Sequence, residues 1–153
     1  MSKEQKECKD FKDNIDGLTN RLNINNGYGN NDLQSWVMKQ LKVKDSDDVL
    51  DIGCGDGRHL KEISSLTSGQ CVGIDYDEKM IEKSKANVAQ YQAVYLSNLS
   101  YHHFSMDEIN TPSAPIGSDK FNVIYSLYAF YYSKDSINLL ELLKKRLKEK
   151  LKK

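Results

Sequence analysis

The chain is 153 residues long, 39% hydrophobic and 29% charged, and its 22 basic side chains are balanced by 22 acidic ones. One domain of that size buries roughly 68–70% of its unfolded surface, and a zero net charge argues against a general nucleic-acid or lipid-surface binder. No apolar run approaches the ~20 residues a membrane-spanning helix needs, so no membrane partner is expected.

Residues 1–14 read as a charged lead segment, frayed or disordered, and 15–153 as one domain. The stretch from Asn14 to Asn31 is rich in Asn and Gly, with Ile15, Leu18, Leu22, Ile24 and Tyr28 among them. Leu33, Trp36, Val37 and Leu41 then recur at helical spacing, with Asn31 or Asp32 as a cap. Val49–Ile52 is a short apolar strand, and Leu60, Ile63 and Leu66 mark a helix that Gly69 is expected to close. Cys71–Ile74 is the second strand. A helix begins near Asp77, where acidic residues suit the positive helix end, and carries Met80, Ile81, Ser84 and Val88 on one face. The pattern from Ala89 to Ser105 is mixed, with a third strand expected near His103–Met106. Pro112, Pro115 and Gly117 mark a loop, and Phe121–Leu127 is a strong fourth strand. A last helix is expected from Lys134 or Asp135 to the terminus, with Leu140, Leu143, Leu147 and Leu151 on one side. Residues 141–153 carry seven Lys or Arg against two Glu, a local exception to the charge balance.

Strands alternating with helices imply an α/β fold with a mostly parallel sheet and helices on both faces. Right-handed crossovers bring Gly53, Asp75, the region near Asp107 and the segment after Leu127 to one sheet edge. Cys8, Cys54 and Cys71 are widely spaced and lack the paired spacing of a zinc site, so no metal is expected. Cys8 reads as exposed and the other two as buried thiols. With no signal-peptide pattern at the N-terminus, a cytoplasmic setting is expected.

Residues 48–58, Asp-Val-Leu-Asp-Ile-Gly-Cys-Gly-Asp-Gly-Arg, place an apolar strand before a Gly-x-Gly-x-Gly turn and a helix. Such a turn aims backbone N–H groups at a small polar ligand at a helix start, although glycines also simply tighten turns. Asp75 follows Gly57 by 18 residues at the end of the next apolar run, where it is placed to accept from ribose hydroxyls or to cap the helix at Asp77. The nicotinamide fingerprint is Gly-x-Gly-x-x-Gly; here the third glycine comes one residue early. Asp51 and Asp56 also flank the turn with negative charge, which opposes a pyrophosphate and suits an ammonium or sulfonium centre.

Asp51-Ile-Gly-Cys-Gly-Asp-Gly57 resembles motif I of the class I, Rossmann-like S-adenosylmethionine-dependent methyltransferases. Gly73-Ile-Asp75-Tyr-Asp-Glu-Lys-Met80 is similar to their second motif, and Phe121-Asn-Val-Ile-Tyr-Ser-Leu127 to their fourth strand. The resemblance covers about residues 30–147. It implies S-adenosylmethionine as cofactor, held by Gly53, Cys54, Gly55 and Gly57 around its methionine part. Asp51 would lie near its amino group and Asp75 at both ribose hydroxyls, with Tyr76 or Met80 near the adenine or ribose. Asp107 would be the acidic residue at the adenine amino group. Leu127 and the following Tyr128-Ala-Phe-Tyr-Tyr132 would run beside the sulfonium, and Tyr128, Tyr131 and Tyr132 would line the substrate pocket. Aromatic faces attract cations and the methyl groups they polarise, although such rings also serve as ordinary core. Tyr28 would close an N-terminal segment over the cofactor, or sit in a surface turn. His59, His102 and His103 read as structural or exposed, and no catalytic base is assigned.

The chain departs from that family after the helix following the fourth strand. The resemblance implies a fifth strand and a final hairpin, so a truncated domain with an exposed sheet edge is expected. A partner chain, self-association or a rearranged N-terminal segment would cover it. Asn122 stands where the family commonly has Asp, keeping a hydrogen-bonding side chain without its charge. The leading reading is methyl transfer to a small-molecule nitrogen or oxygen, with nucleic acid disfavoured by the neutral total charge. The alternative is a truncated, non-catalytic domain that binds the cofactor or a protein partner.

Overall fold

A computed structural model of the chain describes residues 33–90, 97–117 and 119–149. The chain divides into two compact units, Met1–Gln40 and Leu41–Lys153. In the first, the described residues belong to helix α1, Leu33–Leu41, at the position the apolar spacing predicts. The lead segment, Cys8, Tyr28 and the cap at Asn31 or Asp32 lie outside the described residues.

The second unit is built on four parallel strands, β1 (Val49–Ile52), β2 (Cys71–Asp75), β3 (Leu99–His103) and β4 (Val123–Tyr125), in the order β3-β2-β1-β4. Helices α2 (Arg58–Ser64), α3 (Glu78–Ala89) and α4 (Ser136–Lys145) follow β1, β2 and β4. The chain winds from β1 outward through β2 and β3, then returns to β1's other side. That order puts the topological switch between β1 and β4, and ligands of such sheets bind outside the carboxyl ends of the strands at that point. The central strands β1 and β2 are buried along nearly their whole length, as strands covered on both faces of a parallel sheet are. Leu50, Ile52, Val72 and Ile74 pack with Ile109, Ala114, Ile116, Phe121, Leu139 and Leu143 in one core cluster. Because successive strand residues alternate faces, Val49, Asp51, Cys71 and Gly73 point the other way.

Several boundaries differ from the sequence expectation, each for a local reason. Helix α2 ends at Ser64, not at Gly69, because the Ser64 and Ser65 hydroxyls donate to the carbonyls of Lys61 and Glu62 and close its last turn. Leu66 is therefore exposed, and Gly69 lies where a Cβ would stand 2.3 Å from the Asp47 carbonyl oxygen. Strand β3 lies at Leu99–His103 rather than His103–Met106, since Ser105 caps a 3-10 turn at Met106–Glu108 by accepting from the Asp107 N–H. Helix α3 starts as expected: the Asp77 carboxylate accepts from the N–H groups of Lys79 and Met80.

The end of the chain departs most. Strand β4 is shorter than Phe121–Leu127, and α4 stops at Lys145. Its buried face carries Leu139 and Leu143, while Ile137 and Leu140 are 79% and 57% exposed. Leu147 leaves the helix and forms a parallel bridge with Phe121, held by bonds from Phe121 N to the Arg146 carbonyl (2.8 Å) and from Lys148 N to the Phe121 carbonyl (2.9 Å). The β4 edge is thus covered at its start; Leu151 lies outside the described residues. Asn122 serves this end of the sheet as well, accepting from the Asp48 N–H at 2.9 Å.

Arg146 explains why the helix stops there. Its buried guanidinium donates to the side-chain oxygen of Asn110 and to the carbonyls of Ile109, Gly117 and Asp119. Arg146→Ala leaves these acceptors without a donor and is expected to cost about 3 kcal/mol in urea unfolding. Arg146→Lys should recover less than half of that, because an ammonium cannot span the planar fork.

Candidate functional site

Four sets of contacts gather the carboxyl ends of the strands into one rim. Gly53 N and Cys54 N both donate to the Ile74 carbonyl, at 2.8 and 2.9 Å, fixing the glycine loop to the end of β2. Gly55 N donates to Asp75 Oδ2 at 2.8 Å, and Asp77 N to Asp75 Oδ1 at 2.8 Å. Asp75 therefore braces the loop and the approach to α3, while Asp77 itself caps that helix. On the other side, a Cβ on Gly53 would lie 2.1 Å from that of Ala129, so the segment after β4 rests directly against the loop. Across the rim, Asp107 accepts from the Ser133 hydroxyl at 2.5 Å and the Lys134 N–H at 3.1 Å.

The loop itself turns on glycines with left-handed φ, including Gly55 at +54° and Gly57 at +75°. Gly57 caps α2 through its backbone alone. A Cβ on Gly55 would meet nothing within 4 Å, so the loop's middle faces open space with its N–H tethered by Asp75. Ser126, immediately after β4, has a buried hydroxyl with no hydrogen-bond partner among the described residues. Buried polar atoms are almost always paired.

The two carboxylates beside the loop are differently held. Asp51 is 3% exposed, and its carboxylate accepts from the Tyr125 hydroxyl at 2.8 Å. Burial raises its carboxyl to about 7, the Tyr125 bond opposes that rise, and the Asp75 charge adds to it. Asp75 is also raised, chiefly by burial, with the N–H groups of Asp77 and Gly55 offsetting part of the rise. Asp56 does not act as free negative charge. Burial alone would raise its carboxyl, but the bonds and charge of Arg58 hold it below the ordinary range, the guanidinium donating at 2.6 to 3.1 Å. Cys54 is buried, and burial with the surrounding carboxylates lifts its thiol far above the ordinary range. Its part in the rim is made by its backbone, whose N–H donates to the Ile74 carbonyl.

Tyr76 is 71% exposed beside His103, whose ring bonds the Tyr76 carbonyl at 2.9 Å. Met80 and Leu127 are half-buried. Tyr128, Tyr131 and Tyr132 are exposed, not core, and the last two lie with ring centroids 4.3 Å apart and planes tilted by 46°. Tyr128 also holds a left-handed φ of +59°, costly for a side chain that bulky. His102 is paired with Ser100 at 3.2 Å, away from this constellation.

A family model for the methyltransferase domain matches residues 49–150, from β1 to beyond α4. The chain belongs to this methyltransferase domain family. Its fold is the class I, Rossmann-like one, partial relative to longer members. The domain is similar to the curated "Probable cobalt-precorrin-6B C(15)-methyltransferase (decarboxylating)" of Saccharolobus solfataricus, with 37% identity over 62 residues, 39% of this chain and 31% of that protein. Among solved structures it superposes on an S-adenosylmethionine-dependent methyltransferase from Aquifex aeolicus with a TM-score of 0.62 at 23% identity, covering 75% of this chain and 58% of that one. A Thiobacillus denitrificans methyltransferase solved with S-adenosyl-L-homocysteine gives a TM-score of 0.59 at 18% identity, covering 75% and 43%. The chain spans about a third of the length of the first two curated relatives, 34% and 31%. These likenesses establish the fold around the site; the Tyr125–Asp51 and Arg58–Asp56 contacts come from the geometry alone. The sequence signal for Tyr125 was available: a buried Asp51 in an apolar strand requires a donor, and Tyr125 is the polar residue in its register.

Proposed function

We propose that the domain binds S-adenosylmethionine and transfers its methyl group to a nitrogen or oxygen of a small-molecule acceptor. The open space over Gly55, set between the Asp51 and Asp75 carboxylates, carries this reading. These residues suit the cofactor: a glycine loop open at Gly55, with the buried Asp51 carboxylate for a cationic amino acid and the half-buried Asp75 carboxylate for a ribose. In this assignment Asp51 lies near the amino group, Asp75 accepts from the ribose hydroxyls, and Gly53, Cys54, Gly55 and Gly57 form the loop. Tyr76 and Met80 flank the adenine or ribose. Asp107 sits on the adenine side and fixes Ser133 and Lys134 with its carboxylate. Leu127 borders the sulfonium, while Tyr128, Tyr131 and Tyr132 offer exposed faces for the acceptor. Tyr28, outside the described residues, is assigned the covering role by resemblance alone.

When bound, the cofactor supplies an electrophilic methyl on a sulfonium, so this chain's residues need only align it and shape the electrostatics. Asp51, Asp75 and the glycine loop would hold the cofactor, and the segment after β4 would shape the space beside its methyl for an acceptor. No side chain is required as a nucleophile. Among the described residues no helix is long and apolar enough to cross a membrane. The free thiols Cys54 and Cys71 fit a reducing, cytoplasmic setting. A second reading, cofactor binding without transfer in support of a protein partner, is favoured by the exposed Ile137 and Leu140 of α4.

Calorimetric titration with S-adenosylmethionine, with NAD as control, tests the assignment; equal binding of both or of neither by folded protein rejects it. The pH dependence has a definite sign. A bound cation favours ionised Asp51, whose carboxyl stands near 7 in the free protein. Below that pH a proton must leave on binding, at ~1.4 kcal/mol per unit, so affinity should rise up to about tenfold per unit towards pH 7 and level off above it. Adenosine, which lacks the charges, should show a flat profile in the same titration.

A further inference from the structure

One register row crosses the whole sheet beneath the glycine loop. Tyr101 on β3 pairs with Gly73 on β2, Gly73 with Asp51 on β1, and Asp51 with Tyr125 on β4. Paired residues of parallel strands share a face, so two tyrosines on the outer strands flank a glycine and an acid in the middle. A Cβ on Gly73 would lie 2.7 Å from the Tyr101 ring and 2.9 Å from the Cys54 sulfur. The missing side chain is what lets the Tyr101 ring lean inward over β2. There its hydroxyl donates to the Gly57 carbonyl at 2.7 Å, and its ring fills the space under Gly57. From the opposite edge, the Tyr125 hydroxyl donates to Asp51 Oδ2. Both rings are buried, and both hydroxyls are directed at the loop's supports.

We propose that Tyr101 and Tyr125 are positioning residues of the cofactor site, Tyr101 fixing the glycine loop through Gly57 and Tyr125 holding Asp51 as its side-chain donor among the described residues. Neither touches the reacting atoms. The inference rests on the reading of this site as an S-adenosylmethionine pocket. Two core tyrosines with incidental bonds would pack equally well as phenylalanines. Here the phenol oxygens do separate tasks: one anchors the last residue of the loop, the other bonds the acid beside it. The groups facing Asp51 are Tyr125 on β4, Asp75 on β2, Cys54 in the loop and Tyr101 on β3. Of these, Tyr125 bonds Asp51 directly and favours its charged form.

The test compares the full chain with Tyr101→Phe and Tyr125→Phe, each first shown folded by thermal melting. Titrations with S-adenosylmethionine from pH 6 to 9 give affinity, and carboxyl NMR gives the Asp51 titration in the free protein. In Tyr125→Phe the free-protein titration and the affinity step should both move up by about one pH unit, with plateau affinity changed less than threefold. In Tyr101→Phe the step should stay in place while affinity falls about tenfold at every pH and amide exchange across residues 53–57 accelerates. An unmoved step in Tyr125→Phe overturns the role of Tyr125, and wild-type affinity in Tyr101→Phe overturns that of Tyr101. If a Phe variant unfolds, 3-fluorotyrosine at the same position keeps the fold and supplies a stronger donor. At 125 it should move the step down, and at 101 it should slow loop exchange; no change in either rejects that residue's role. If Tyr125→Phe shifts the Asp51 titration but wild-type protein binds no S-adenosylmethionine at any pH, the cofactor reading fails and the positioning role falls with it, while the bond geometry stands.

Discussion

Asp75→Ala should lower affinity for S-adenosylmethionine by about 100-fold or more, because Asp75 sits at the crossing of two demands. Its oxygens already accept the N–H groups of Gly55 and Asp77 at 2.8 Å each. A carboxylate offers about four lone-pair directions, so two remain for ribose hydroxyls in the proposed assignment. Hydrogen bonds to a charged group contribute roughly 1.5–3 kcal/mol each, and losing two predicts a loss of 10² to 10⁴. Alanine also orphans Gly55 N–H and loosens the loop. Asp75→Asn separates these effects: it keeps one carbonyl acceptor and the side-chain shape, and should lose only about 10-fold to 30-fold. Calorimetry on both variants, with melting curves as the fold check, decides it. Binding by Asp75→Ala within threefold of the parent would remove Asp75 from the site.

The sheet and the glycine loop were legible in the sequence because both depend on neighbours in the chain. Three apolar residues around Asp51 before Gly53, and an acid after Ile74, state the strand ends directly, and Asp77 announces its helix. What stayed hidden depends on contacts remote in sequence. Strand β3 reads Leu-Ser-Tyr-His-His, and its polar outward residues conceal the alternation that buries Tyr101. The α4 pattern of leucines suits a helix running to the terminus; only the carbonyl cage around Arg146, assembled from residues 109–119, ends it early. The exposure of Tyr128, Tyr131 and Tyr132 could not be read from composition, since aromatic residues after a strand are as often core as surface. Asp56 looked like part of a negative loop until Arg58, two residues away, folded back onto it.

Gly55→Ala and Gly57→Ala should fail in opposite ways, and the contrast separates the loop's two functions. Both positions hold left-handed φ, which costs a residue with a Cβ roughly 1–2 kcal/mol. At Gly57 the added methyl would also stand 2.5 Å from the Tyr101 ring, itself buried and bonded to the Gly57 carbonyl. Overpacking of that kind adds about 1–3 kcal/mol, so Gly57→Ala is expected to lose roughly 3–4 kcal/mol of stability in urea unfolding. At Gly55 the methyl meets no protein atom within 4 Å. Its stability loss should stop near 1–2 kcal/mol, but the methyl enters the space assigned to the cofactor's methionine part. Affinity for S-adenosylmethionine should therefore fall at least 100-fold in Gly55→Ala while the fold survives. Should Gly55→Ala bind as tightly as the parent, the open side of the loop is not where the ligand lies, and the site would have to be sought elsewhere on the rim.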